Sequence, residues 1–300
     1  MNKYLISNFF KDLQNDICKD LEIEDGKSQF KEDLWERTGG GGGRTRIISN
    51  GNIIEKGGVN FSAVYGEIPS KVKNYLNVEG KIFFATGVSV VIHPLSPMIP
   101  IIHMNVRYFE IDNNLYWFGG GIDLTPHYVN KKDAYYFHNE LKKICDKYDK
   151  NYYQRFKKSA DDYFFIKHRN ETRGIGGIFF DRLNEINENK TKEELFNFVK
   201  DIGNSFSRIY INLIRENKNK TYSDKEKLWQ SIRRSRYVEF NLIYDAGTKF
   251  GLETNGRTES ILMSLPPQAI WLYDYKPEKN SKEEETLNLL KKGINFLEYE

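Results

Sequence analysis

The stretch from Ile101 to Phe118 constrains this chain most. Apolar and polar residues alternate through Ile101–Ile111, with Met104, Val106 and Tyr108 set against His103, Asn105, Arg107 and Phe109. Asp112-Asn113-Asn114 then makes a hairpin turn and Leu115 to Phe118 returns. A period of two puts His103, Asn105 and Arg107 on one face of a strand. Three polar groups on one face, flanked by apolar sequence, point to a site rather than to a solvated edge. Further strand-like runs precede it at Arg46–Ser49, Ile53–Glu55, Val59–Tyr65 and Val88–Ile92. The connection from His93 to Pro100 carries three prolines and cannot be helical.

Helical spacing marks other regions. Leu5, Phe9, Leu13, Ile17 and Leu21 recur every four residues, predicting a helix over 3–24. Phe30, Leu34 and Trp35 suggest a second, short one. Helices are also expected at 130–148, 151–168, 191–216, 281–296, and from Ser223 as N-cap to Arg233. Gly174–Asp181 reads as a buried strand. Strands joined by hairpins, with helices in blocks, give an α+β fold: a large, mostly antiparallel sheet flanked by helices. No repeat or composition break divides the chain, so one domain over residues 1–300 is expected.

The segment from Arg233 to Pro267 reads as a three-strand meander. Tyr237, Val238, Phe240, Leu242 and Tyr244 form the first run, Phe250 and Leu252 the second, and Ile261 to Leu265 the third. Asp245-Ala246-Gly247 and Thr254-Asn255-Gly256 are the turns. Arg233, Arg234, Arg236, Glu239, Asp245, Arg257 and Glu259 put more charge here than a hairpin needs, which suits a polyanionic ligand as well as a solvated surface. The glycines 39–43, followed by Arg44 and Arg46, offer either a flexible link or a cradle of N–H groups for an anion. Asp123, after three glycines, stands where backbone can approach a ligand closely, or where an aspartate caps a turn.

Composition excludes several classes. Forty-five basic and 42 acidic residues leave a net charge of +3, too weak to argue for nucleic acid. Cys18 and Cys145 have neither disulfide nor metal spacing and fit a reducing compartment. The N-terminus resembles neither a secretory signal nor a transit peptide, and no apolar run reaches the length of a membrane span. A cytoplasmic protein without an integral membrane segment is the expectation. The five histidines, 93, 103, 127, 138 and 168, show no HxH or HExxH spacing.

Long, ordered motifs run nearly end to end: GGGGRTR, EKGGVNFSAVYG, GVSVVIHPLSP, HMNVRYFE, WFGGGIDLTP, FFIKHRNETRGIGGIFFD, RYVEFNLIYDAGTKFGL and GRTESILMSLPP. With them the chain resembles the oxygen-dependent (aerobic) coproporphyrinogen III oxidase family. The resemblance implies a flat antiparallel sheet flanked by helices, in a homodimer whose contacts involve the region from Tyr237 to Leu272. It implies oxidative decarboxylation of two propionates of coproporphyrinogen III to vinyls, giving protoporphyrinogen IX for haem synthesis. O2 is the acceptor, with no flavin, haem or nicotinamide. The chain agrees in lacking a dinucleotide fingerprint and an iron–sulfur cysteine cluster.

The resemblance also implies roles for residues. Arg107 and Arg257 match substrate-contact positions, and Ser89, Asn105, Val106, Asn255 and Gly256 fall in the same segments. Arginine forks suit a substrate with four carboxylates. Asp245 matches the acid set against the pyrrole N–H groups, Asp123 a second aspartate, and His103 a proton donor. Bacterial members are assigned a divalent metal on positions matching His93, His103, His138 and His168. This chain departs where Ala246 replaces an arginine after the aspartate, where Leu95 replaces a basic residue, and where Asn255 replaces a glycine. Arg44, Arg46 or Arg236 are the candidates to compensate. A porphyrin carrier that has lost catalysis and a histidine-based metallohydrolase remain the competing readings.

Overall fold

The computed structural model describes residues 2–68, 73, 78–112, 114–253 and 256–299. Helix α1 (Lys3–Asp25) leads, followed by strands β1 (Lys31–Glu36), β2 (Gly41–Ser49), β3 (Ile54–Glu67), β4 (Ile82–Pro94), β5 (Ile101–Ile111) and β6 (Leu115–Thr125). Next come α2 (Lys131–Tyr148), α3 (Tyr152–Tyr163), the short strands β7 (Phe165–Ile166) and β8 (Glu171–Thr172), and β9 (Gly177–Leu183). Helices α4 (Glu185–Glu188), α5 (Lys192–Asn217), α6 (Asp224–Ile243), α7 (Ala246–Glu253), α8 (Thr258–Leu262) and α9 (Lys282–Leu289) complete the chain. The main sheet runs β1-β2-β3-β4-β5-β6-β9 and every pairing is antiparallel. This is the expected α+β architecture.

The two faces of the sheet differ. Val59, Val88, Val90, Met104, Val106, Ile122 and Ile178 line one face, fully buried in a common core with apolar residues of α1, α2 and α5. In α1 that stripe is Ile6, Phe10, Leu13, Ile17 and Leu21, a 3.6-residue period. Leu5, which the four-residue count includes, is 63% exposed. Capping boxes start α5 at Thr191/Glu194 and α6 at Ser223/Glu226, where side chain and backbone satisfy each other's free N–H groups.

The opposite face carries the polar rows. Register aligns Asp33, Thr45, Asn60, Ser89, Asn105, Gly121 and Phe179 across seven strands. The adjacent row on one side holds Trp35, Gly43, Ser62, Gly87, Arg107 and Gly119, and that on the other Gly58, Val91, His103, Asp123 and Gly177. Helix α6 rests on this face through Tyr237, which clusters with Val91 and Ile101. Helix α8 is tied to it by Ser260 to Thr45 Oγ1 at 2.8 Å.

Among the described residues, helices α6, α7 and α8 stand where the meander is expected over 237–265. Trp229, Ile232, Arg233, Tyr237, Phe240 and Asn241 are buried along one side of α6, while Leu242 and Ile243 are 45% exposed. The β-forming residues follow a helical burial period, so tertiary packing overrides their propensity. Gly247 lies within α7 rather than at a turn of positive φ. Phe30–Trp35 gives strand β1 rather than a helix. The 151–168 helix stops at Tyr163 and the C-terminal one at Leu289. Asn113, Thr254 and Asn255 lie outside the described residues.

Candidate active site

Asp123 follows three strand glycines on β6, opposite His103 on β5. His103 Nδ1 is 2.7 Å from Asp123 Oδ1, and Arg173 Nη2 donates to Asp123 Oδ2 at 2.6 Å. Burial alone would raise the Asp123 carboxyl, but the Arg173 guanidinium and the His103 contact outweigh it and hold it below the usual carboxylate range. His103 is 22% exposed at its side chain and its ring meets Phe164 edge-on. Asp123 therefore acts neither as a turn residue nor as a cap; it joins a buried ion pair to a partly open imidazole.

One row along, Arg107 donates to Asn105 Oδ1 at 2.9 Å and to Asp181 Oδ1 at 3.0 Å. Gly119 makes the second contact possible, because a Cβ there would lie 2.6 Å from Asp181 Oδ1 and 2.8 Å from Arg107 Nε. Beyond Arg107, the rings of Phe83, Phe109 and Trp117 stack, at 5.9 Å between the first two and 4.6 Å between the last two. Between that aromatic end and the Tyr237–Val91 contact, the face offers small or polar groups: Asn60, Ser62, Gly87, Ser89 and Asn105.

Asp245 sits at the junction of α6 and α7. Its Oδ2 accepts the Thr248 N–H at 2.7 Å, so it is the N-cap of α7. Its Oδ1 accepts from the Tyr163 hydroxyl at 2.8 Å, and that hydroxyl oxygen accepts the Ala246 N–H at 3.1 Å. Tyr163 stacks on Phe179 at 4.2 Å, and Phe179 is in register with Gly121 and Asn105. Asp245 thus belongs to the same face as Arg107 and His103. Arg257 bonds Asp33 on β1 and donates to Ser260 Oγ at 3.1 Å. Strands β1 and β5 are four places apart in the sheet, about 19 Å at ordinary strand spacing.

Not every expected residue reaches this face. The Val106 side chain points to the opposite, core face, so only its backbone can serve a ligand. Gly256 is spent on a backbone bond to Gly251 at 2.7 Å. Glycines 41–43 belong to strand β2, their backbone committed to the ladder, and Gly43 lies beneath the Trp35 ring where a Cβ would clash. That is neither a flexible link nor an anion cradle.

The metal expectation is not met by the described residues. His93 Nε2 bonds the Ser264 carbonyl at 2.8 Å, His138 bonds Ile175 O and Tyr153, and His168 bonds Tyr244 and Glu239. Burial drives His93 and His138 down to about 3. Each ring has its own partners, and among the described residues no three His, Cys, Asp or Glu side chains converge on one point. His168 instead helps hold Glu239, which burial would raise but which Arg169, His168, Arg236 and Trp271 bring down to about 2.

Comparison with known proteins matches this chain to a family. Residues 5–296 match the family described as coproporphyrinogen III oxidase. The chain belongs to the coproporphyrinogen III oxidase family. Its relatives include the oxygen-dependent coproporphyrinogen-III oxidases of Coxiella burnetii (strain RSA 493 / Nine Mile phase I), 49% identical over 92% of this chain and 89% of the relative, and of Drosophila melanogaster, 49% identical over 93% and 74%. The protein of that name from Prochlorococcus marinus (strain MIT 9312) is 47% identical over 97% and 91%. Within the family frame, the three arginines offered as compensation for the cations missing at Ala246 and Leu95 are committed elsewhere. Arg44 bonds Gln14, Asn15 and the Lys11 carbonyl, Arg46 pairs with Glu32, and Arg236 with Glu239. Sequence reasoning passed over Arg173, Asn241 and Tyr163, whose partners are 50 to 82 residues away.

Proposed function

We propose that this chain is an oxygen-dependent coproporphyrinogen III oxidase. Each of two propionates loses CO2 and a hydride equivalent from the methylene next to the ring. O2 takes the hydride equivalent and a proton to become hydrogen peroxide, leaving a vinyl group. The family match over nearly the whole chain carries this reading. The geometry supports it with a broad, small-residue face that suits a flat ring, arginines towards its margins and an acid above it.

In this reading Arg107 and Arg257 grip propionates, each charge-assisted contact worth about 1.5–3 kcal/mol. Ser89, Asn105 and the Val106 backbone line the floor, and Asn255 and Gly256, which precede Arg257 in sequence, are assigned to the substrate with it. Asp245 takes a pyrrole proton, its two oxygens fixed by the Thr248 N–H and the Tyr163 hydroxyl yet retaining lone pairs. His103 takes up a proton on Nε2 and delivers it to the substrate. The described residues give the four histidines no common point, and none of these steps is assigned to a metal. Leu242, Ile243, Leu252, Ile270, Trp271 and Leu272 are exposed in the 237–272 segment and suit a homodimer contact; sedimentation near the monomer mass would refute that assembly.

The test is product formation from coproporphyrinogen III, with and without O2, in chelator-treated wild type and Asp245→Asn. Wild type should make protoporphyrinogen IX only with O2. The variant should keep its fold and lose ~100-fold or more in turnover, as removal of a general base does. Substrate binding without product in wild type would favour the carrier reading, and wild-type rates in the variant would end the role of Asp245.

A further inference from the structure

Arg173 is buried, yet the site is built around it. Its side chain is 2% exposed. The guanidinium lies 4.4 Å from the Phe164 ring centre, 4.6 Å from that of Tyr237 and 4.8 Å from that of Phe240, a three-ring cage that favours a cation. Nη2 donates to Asp123 Oδ2 at 2.6 Å and Nη1 to Asn241 Oδ1 at 2.8 Å, while Asn241 donates onward to Ser264 Oγ at 3.2 Å. The Arg173 backbone is pinned as well, its N–H on the Phe164 carbonyl at 2.9 Å. The buried Nε has no partner among the described residues, so the group is aimed at Asp123 and Asn241 at the expense of its own saturation.

We infer that Arg173 is a positioning residue, orienting the Asp123 carboxylate so that His103 keeps its proton on Nδ1 and leaves Nε2 for the reaction. With Oδ2 taken by Arg173, Oδ1 faces His103 Nδ1 at 2.7 Å. An ionised carboxylate only accepts, so the proton between them belongs to the imidazole nitrogen. Nε2, with no partner among the described residues, is the free nitrogen of a partly open ring. The functional half of this inference rests on the role proposed for His103; the tautomer half does not.

The experiment reads the His103 tautomer by nitrogen-15 NMR on histidine-labelled full-length protein, beside steady-state kinetics. Wild type should show the proton on Nδ1. In Asp123→Asn, Arg173 claims the amide oxygen and turns the NH2 towards His103, so the proton should move to Nε2 and turnover should fall ~100-fold or more. Arg173→Gln should lose the single tautomer, with kcat falling about 10- to 100-fold and KM within about 2-fold, because Arg173 does not reach substrate. Arg173→Lys should recover part of both. An Asp123→Asn protein that keeps its proton on Nδ1 overturns the inference, and that variant decides it even if Arg173→Gln does not fold. A folded Arg173→Gln with the wild-type spectrum and kcat overturns it equally. His103→Gln tests the parent reading separately: unchanged turnover there removes the catalytic role of His103, while the spectra still decide what Arg173 does.

Discussion

Val106 and Arg107 are neighbours on β5 with opposite fates. Val106 is fully buried among the helices of the core face, while the Arg107 side chain is 38% exposed on the site face, held by Asn105 and Asp181. The same division runs across the sheet. One face is filled by Val, Ile and Met, and the other is kept low by Gly, Ser and Asn. Stability and function are thus separated by one residue of register, which lets the site stay open without thinning the core.

The harshest way to break that separation is Val106→Asp. It buries an unpaired carboxylate, and a loss of more than about 4 kcal/mol is expected. Thermal unfolding followed by circular dichroism should show no native transition at the temperature of the wild type. A normal transition would mean that this face is not the core.

Acid titration sharpens the comparison, because His93 is buried under the site-face helices and His138 in the opposite layer. The folded chain holds both neutral down to about pH 3, whereas their ordinary value is 6.5. Between those values the unfolded state binds more protons. The contribution is therefore complete above the unfolded value and falls as pH drops towards 3, by roughly 1–1.5 kcal/mol per pH unit for each ring. Urea midpoints measured between pH 7 and 4 should fall, and His93→Gln and His138→Gln should each flatten the decline. An unchanged slope in both would show that neither ring is buried neutral.

Arg107→Gln should do least to the fold and much to the substrate. Its pair with Asp181 is half-exposed on both sides, worth about 1 kcal/mol or less. A lost carboxylate contact of about 1.5–3 kcal/mol corresponds to roughly a 10- to 150-fold rise in KM. An unfolding temperature that drops sharply while KM stays put would reverse the roles assigned to the two faces.

Period-two alternation made β5, its return strand and the polar face legible from the residues, because one buried face forces the pattern. The family motifs carried the site assignments. Local reasoning failed in the 237–265 segment, where aromatic and β-branched residues read as strands and only packing against Val91 and Ile101 reveals a helix. Asp245 was found but its cap geometry was not, since it depends on that helix break. Arg173 was invisible for another reason: an arginine in a glycine-rich loop looks solvated until Asp123 and Asn241 arrive from distant strands and helices.

Arg173 also has a consequence for how the chain becomes active. Its contacts join residues 50 and 68 positions apart, tying β6, the β8–β9 loop and α6 at one buried point. Contacts of such span close late, after local helices and hairpins have formed. On that order, a refolding molecule gains most of its secondary structure before it gains a working site. The ability to turn over substrate then reports the last assembly step rather than the first.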